Sequence, residues 1–152
     1  MALLYGPARL ASLPLFGWAA LALVSSLVLS VIYATLAGVI SPHLVPPPLP
    51  EDLIVSELRW VAFAVIVVMG PFAEETFFRG FMFAGLLRRF GTAKSTAISS
   101  AVFAAAHVDV ALLGPAFLSG AVFALVYRRT GSVWPAVLAH TAQNAIAFGL
   151  SG

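Results

Sequence analysis

The sequence predicts an all-α fold, a polytopic transmembrane helix bundle of about five spans, and three observations predict it. Apolar residues fill 61% of the 152 positions and charged residues only 9%, with a mean hydropathy of +1.02. A soluble domain carries charge at about 25% of its positions, so eight basic and six acidic residues leave most of the surface to lipid. The apolar residues also fall into long runs, and at about 20 residues per span the chain has room for about five helices and little else. Finally, the basic residues cluster at alternate joins between runs, the pattern of membrane topology signals. The formal charge of +2 and pI near 9.5 therefore argue for no nucleic-acid partner. The absence of cysteine excludes disulfides, thiolate chemistry and cysteine-ligated zinc.

The first apolar run, from about Pro14 to Ile40, reads as a transmembrane helix, longer than the ~7–15-residue core of a signal peptide. Five prolines between Pro42 and Pro50 forbid helix and mark a stiff loop. Residues 1–50 thus form an N-terminal helix with a proline-rich loop, and residues 51–152 a helical core unit. Glu51 and Asp52 suit the first turn of a second helix, expected to run to Arg88 with an interruption or kink near Gly70–Pro71. A third helix is expected over Thr92–Val108, a fourth over Pro115–Tyr127 and a fifth over Val133–Gly149, with Gly91, Gly114 and Gly131 at the joins. Ala101, Ala104, Ala105, Ala106, Ser119, Gly120 and Ala121 are small enough for close helix approach in lipid.

Charge placement supports five spans. One side would carry Arg9, Arg88, Arg89, Lys94, Arg128 and Arg129; the other Glu51, Asp52, Glu57 and Asp109, with Arg59 as its only base. The positive-inside rule then places the N-terminus in the cytoplasm and the C-terminus outside, in a bacterial or archaeal cell membrane. Trp18, Trp60 and Trp134 fall near helix starts, where aromatic belts form.

Within the apolar runs the remaining ionisable residues are Glu74, Glu75, Arg79, His107 and His140. A charge at mid-membrane costs at least ~2.5–3.5 kcal/mol, so five on three helices mark a site. At ~1.5 Å per residue, Glu74 lies about 21 Å from Arg88, His107 about 20 Å from Lys94, His140 about 16 Å and Asn144 about 22 Å from Arg129. All fall in one slab. Adjacent helical positions point about 100° apart, so Glu74 and Glu75 have different tasks. Glu75 and Arg79 are spaced i,i+4 in the favourable order for an ion pair, which leaves Glu74 for chemistry. His140 and Asn144 share a face and can donate to a developing oxyanion, while Glu74 activates a water with His107 assisting. Glu74, His107 and His140 are alternatively a zinc set with water as fourth ligand. Metal-free chemistry is the preferred reading. His43, in the proline loop, is expected to be exposed, and Phe77, Phe78, Phe81 and Phe83 to face lipid or neighbouring helices.

Taken together, Glu74-Glu75-Thr-Phe-Phe-Arg79, Phe103-Ala-Ala-Ala-His107 and His140-Thr-Ala-Gln-Asn144 resemble the three ordered motifs of the CAAX-protease and bacteriocin-processing (CPBP, or Abi) family of intramembrane proteases. The resemblance covers about Arg59 to Phe148. It implies peptide-bond hydrolysis in a membrane-associated or membrane-anchored protein or peptide. Glu74 would be the water-activating residue and His107 its partner; His140 and Asn144 would stabilise the oxyanion, and Glu75, Arg79 and Phe103 would support the site. The prenyl-protein role of the eukaryotic members is not carried over, and the compact, outward-leaning site suits trimming of membrane-anchored C-terminal tails. The competing reading is a non-enzymatic immunity or partner-binding membrane protein, or a small proton or ion carrier, since carriers also bury Glu and His in lipid.

Overall fold

The computed structural model of the chain describes residues 14–151, helical over most of their length and without strands. Arg9, counted above in the charge pattern, lies outside the described residues. In chain order the helices are α1 (Leu15–Ile40), α2 (Glu51–Val55), α3 (Arg59–Ala105), α4 (Val110–Thr130) and α5 (Trp134–Leu150). Among the described residues, α1, α3 and α4 are long and apolar enough to cross a membrane. α3 is two legs rather than one rod. Gly91 at its bend has φ 71° and ψ 178°, a backbone state that side-chain-bearing residues rarely adopt. The Ser99 hydroxyl of the second leg donates to the Phe78 carbonyl of the first at 3.3 Å, so the chain doubles back on itself. With α5, whose 17 residues sit at the lower limit for a span, the architecture is an all-α helical membrane bundle.

Several boundaries differ from the sequence expectation, each for a local reason. The second helix does not start at Glu51 and continue: α2 ends at Val55, where Ser56 turns extended (φ −69°, ψ 164°), and the long helix begins at Arg59. The fourth helix starts at Val110, not Pro115, because the Asp109 carboxylate accepts the Ala111 N–H at 2.9 Å and caps it. The third ends at Ala105, so His107 lies just beyond it, before Val108 at φ 63°. Gly91 and Gly131 do mark joins, but Gly114 lies inside α4. Its missing side chain makes room for α1, since a β-carbon there would overlap the Tyr33 ring.

The helices meet through small residues and rings. Ala22 of α1 packs with Phe123 and Val126 of α4 and Ala136 and Ala139 of α5. Phe78, Phe103, Ala104 and Ala116 join both legs of α3 to α4. Apolar area gains nothing when it leaves lipid for protein, so close packing of this kind and hydrogen bonds between helices hold such a bundle. Of the small residues singled out in the sequence, Ala104, Ser119 and Gly120 are buried, whereas Ala101, Ala105 and Ala106 are exposed. Phe78 and Phe83 are buried, and Phe77, Phe81 and His43 are exposed.

Candidate active site

The first leg of α3 positions the acids, and proline chemistry shapes it. Pro71 has no N–H, and its ring would strike the carbonyl four residues back in a regular helix. The interruption expected near Gly70–Pro71 takes the form of a widened stretch just before it. Ala64–Met69 is π-helical, and the Gly70 N–H reaches the Val65 carbonyl five residues back. A second π-helical stretch, Thr76–Phe83, follows, with the Ala84 N–H reaching Arg79. Glu74 and Glu75 sit between the two.

Glu75 and Arg79 are both fully buried and paired, Oε1 to Nη1, at 3.0 Å. The Arg79 Nη2 donates to the Gly120 carbonyl of α4 at 3.1 Å. Its guanidinium carbon lies 4.3 Å from the Phe103 ring centroid and 5.5 Å from that of Phe123, within cation–π range. A β-carbon at Gly120 would lie 3.3 Å from Nη2 and 3.2 Å from Phe103, so only glycine admits this approach without displacement.

His140 of α5 completes the cluster. Its Nδ1 lies 2.9 Å from Glu75 Oε1; an ionised carboxylate only accepts, so Nδ1 carries the proton. The opposite nitrogen, Nε2, stands 4.0 Å from Glu74 Oε2. That oxygen is buried and has no hydrogen-bond partner. The gap is too long for a direct hydrogen bond. The Glu74 side chain is 38% exposed, against 0% for Glu75. Of the two glutamates, Glu74 is the accessible one.

The other expected residues are placed differently. His107 Nδ1 turns back to the Phe103 carbonyl at 2.9 Å, with the two rings 4.8 Å apart. Phe103 in turn lies 5.9 Å from the His140 ring, so it borders both histidines. The Asn144 amide donates to the Ile66 backbone carbonyl at 2.9 Å. Among the described residues no three metal-ligating side chains group together. Sequence reasoning missed Phe123, which lies 5.5 Å from the His140 ring, and the bond from His140 to Glu75. Gly120 carried a signal as part of a small-residue pair; Phe123 carried none.

Fold and site together define a class, a helical membrane protein with a buried carboxylate–histidine centre. The family description "Type II CAAX prenyl endopeptidase Rce1-like" matches residues 56–146, and the chain belongs to that family. This agrees with the CPBP resemblance of its motifs. It is also similar to a Bacillus subtilis (strain 168) protein named "Putative membrane peptidase YdiL", at 31% identity over 93 residues, which are 60% of this chain and 38% of that relative. The chain thus matches well under half the length of the relative. No solved structure matches it.

Proposed function

We propose that the protein is an intramembrane endopeptidase that hydrolyses a peptide bond in a membrane-associated or membrane-anchored protein. One observation carries this reading: the unbonded Glu74 oxygen faces a histidine nitrogen 4.0 Å away, while Glu75 holds the other nitrogen of that ring. Glu74 takes the proton of a water bridging the two as the water attacks the substrate carbonyl, and passes it to the leaving amine. An N–H at His140 Nε2 and the Asn144 N–H that Ile66 leaves free donate to the oxyanion. His107, against the Phe103 ring, assists in positioning or proton transfer.

The test uses detergent-purified protein and a library of membrane-tethered tails. Wild type cleaves, and Glu74→Gln loses at least ~10²-fold in rate while its melting temperature holds. A wild type that cuts no tail but carries protons into vesicles, losing that flux in Glu74→Gln, would favour the carrier reading instead.

We propose a reaction without a metal, in which Glu74 acts on the water directly. Activity is expected to survive exhaustive dialysis against a chelator. Stoichiometric zinc, lost with activity and restored by re-addition, would overturn this. The N-terminus is assigned to the cytoplasm, and reporter fusions after Gly152, expected to report outside, check the assignment.

A further inference from the structure

The bond between Asn144 and Ile66 has its cause at Pro71. In a regular helix the Ile66 carbonyl accepts the N–H of residue 70, but the Gly70 N–H goes to Val65. In a π-helix it accepts the N–H five residues on, and that residue is Pro71, which has none. Neither register gives Ile66 a backbone donor, and the carbonyl lies in an apolar span where water cannot supply one. The Asn144 amide reaches it at 2.9 Å.

We infer that Asn144 is a positioning residue: its side-chain amide replaces the hydrogen that Pro71 lacks, and so fixes α5 against the segment bearing the two glutamates. Asn144 lies one turn beyond His140, and Ile66 lies about two turns before Glu74 and Glu75. The two elements are therefore tied at two levels, Glu75 to His140 and Ile66 to Asn144. Together with the Phe63–Phe148 and Phe72–Trp134 ring contacts, these two bonds set the depth and rotation of α5, and with them the approach of His140 Nε2 to Glu74. The side chain must carry a donor, because the site offers a bare carbonyl.

The activity part of the inference rests on the peptidase reading; the bond itself does not. Wild type, Asn144→Leu, Pro71→Ala and the double variant are compared in one detergent. Pro71→Ala restores the missing N–H and removes the need for Asn144. Asn144→Leu is expected to lower the melting temperature by on the order of 5 °C, and by less than half as much in the Pro71→Ala background. It should also lower kcat more than it changes KM, and the double variant should regain part of kcat. Equal thermal losses in the two backgrounds would overturn the inference. Thermal coupling with no regain of kcat would overturn the positioning role. Should Pro71→Ala fail to fold, Asn144→Gln carries the test: it keeps an amide donor and should melt nearer to wild type than the Leu variant, and equal melting would contradict the bond. Thermal coupling in a wild type that cleaves nothing would sink the peptidase reading and leave the bond intact.

Discussion

α1 and the first leg of α3 are both apolar membrane helices, yet they are built on opposite plans. α1 keeps regular α geometry over 26 residues, and the residues it buries are all small: Ala19, Ala22, Ser26 and Ala37. Its side-chain bond to another helix is neutral, from the Ser26 hydroxyl to Gln143 Oε1 at 2.7 Å. The first leg of α3 carries two π-helical stretches, a buried proline and a fully buried ion pair. A regular helix satisfies its backbone within itself, which is why it is the default spanning element. It then has no backbone group to offer a neighbour. The irregular leg has one at Ile66, and a side chain of α5 answers it. The two glutamates of this bundle sit on an α-helical turn flanked by two stretches that depart from 3.6 residues per turn.

If the contrast holds, substitutions in the irregular leg cost far more than those in α1. The largest effect on stability is expected for Glu75→Ala, which leaves Arg79 buried without its acid and frees His140; a broken buried pair costs about 3–5 kcal/mol. Thermal melting in detergent should fall steeply, and cleavage with it. Adding Arg79→Leu should recover part of the stability by removing the orphan charge, and no activity. A Glu75→Ala variant that melts like wild type would break the contrast at its strongest point.

Smaller effects are expected from α1, and they separate its packed face from its lipid face. Gly114→Val in α4 drives a side chain into the Tyr33 ring on the packed face of α1 and should cost about 1–3 kcal/mol as overpacking. Val28→Ala, at an exposed position of α1, should stay within about 0.5 kcal/mol. Equal losses at the two positions, read by melting, would mean that α1 has no distinct lipid face.

Much of this plan was legible in the sequence. The charge deficit and long apolar runs gave the helical membrane class, and the i,i+4 spacing gave the Glu75–Arg79 pair, which lies at 3.0 Å. Local spacing resolved contacts within one helix. It could not resolve the bond from His140 to Glu75, which spans 65 residues, nor the sandwich of Arg79 between Phe103 and Phe123. Proline at position 71 signals an interruption or kink, but a missing N–H is met by bending or by widening, and the neighbouring helices, which the local sequence does not show, decide between them. Gly114 was read as a join for a similar reason: a glycine that breaks a helix and one that admits a tyrosine from elsewhere look alike in sequence.

The central claim is that Glu74, left free by the pairing of Glu75, activates a water and does not itself attack the substrate. A single turnover in oxygen-18 water, with enzyme in excess over one cleavable tail peptide, tests it most directly. General-base catalysis puts the heavy oxygen into the new carboxyl terminus of the product and none into the protein. Heavy oxygen in the Glu74 side chain, with unlabelled product, would mean that Glu74 forms an acyl intermediate and would contradict the account.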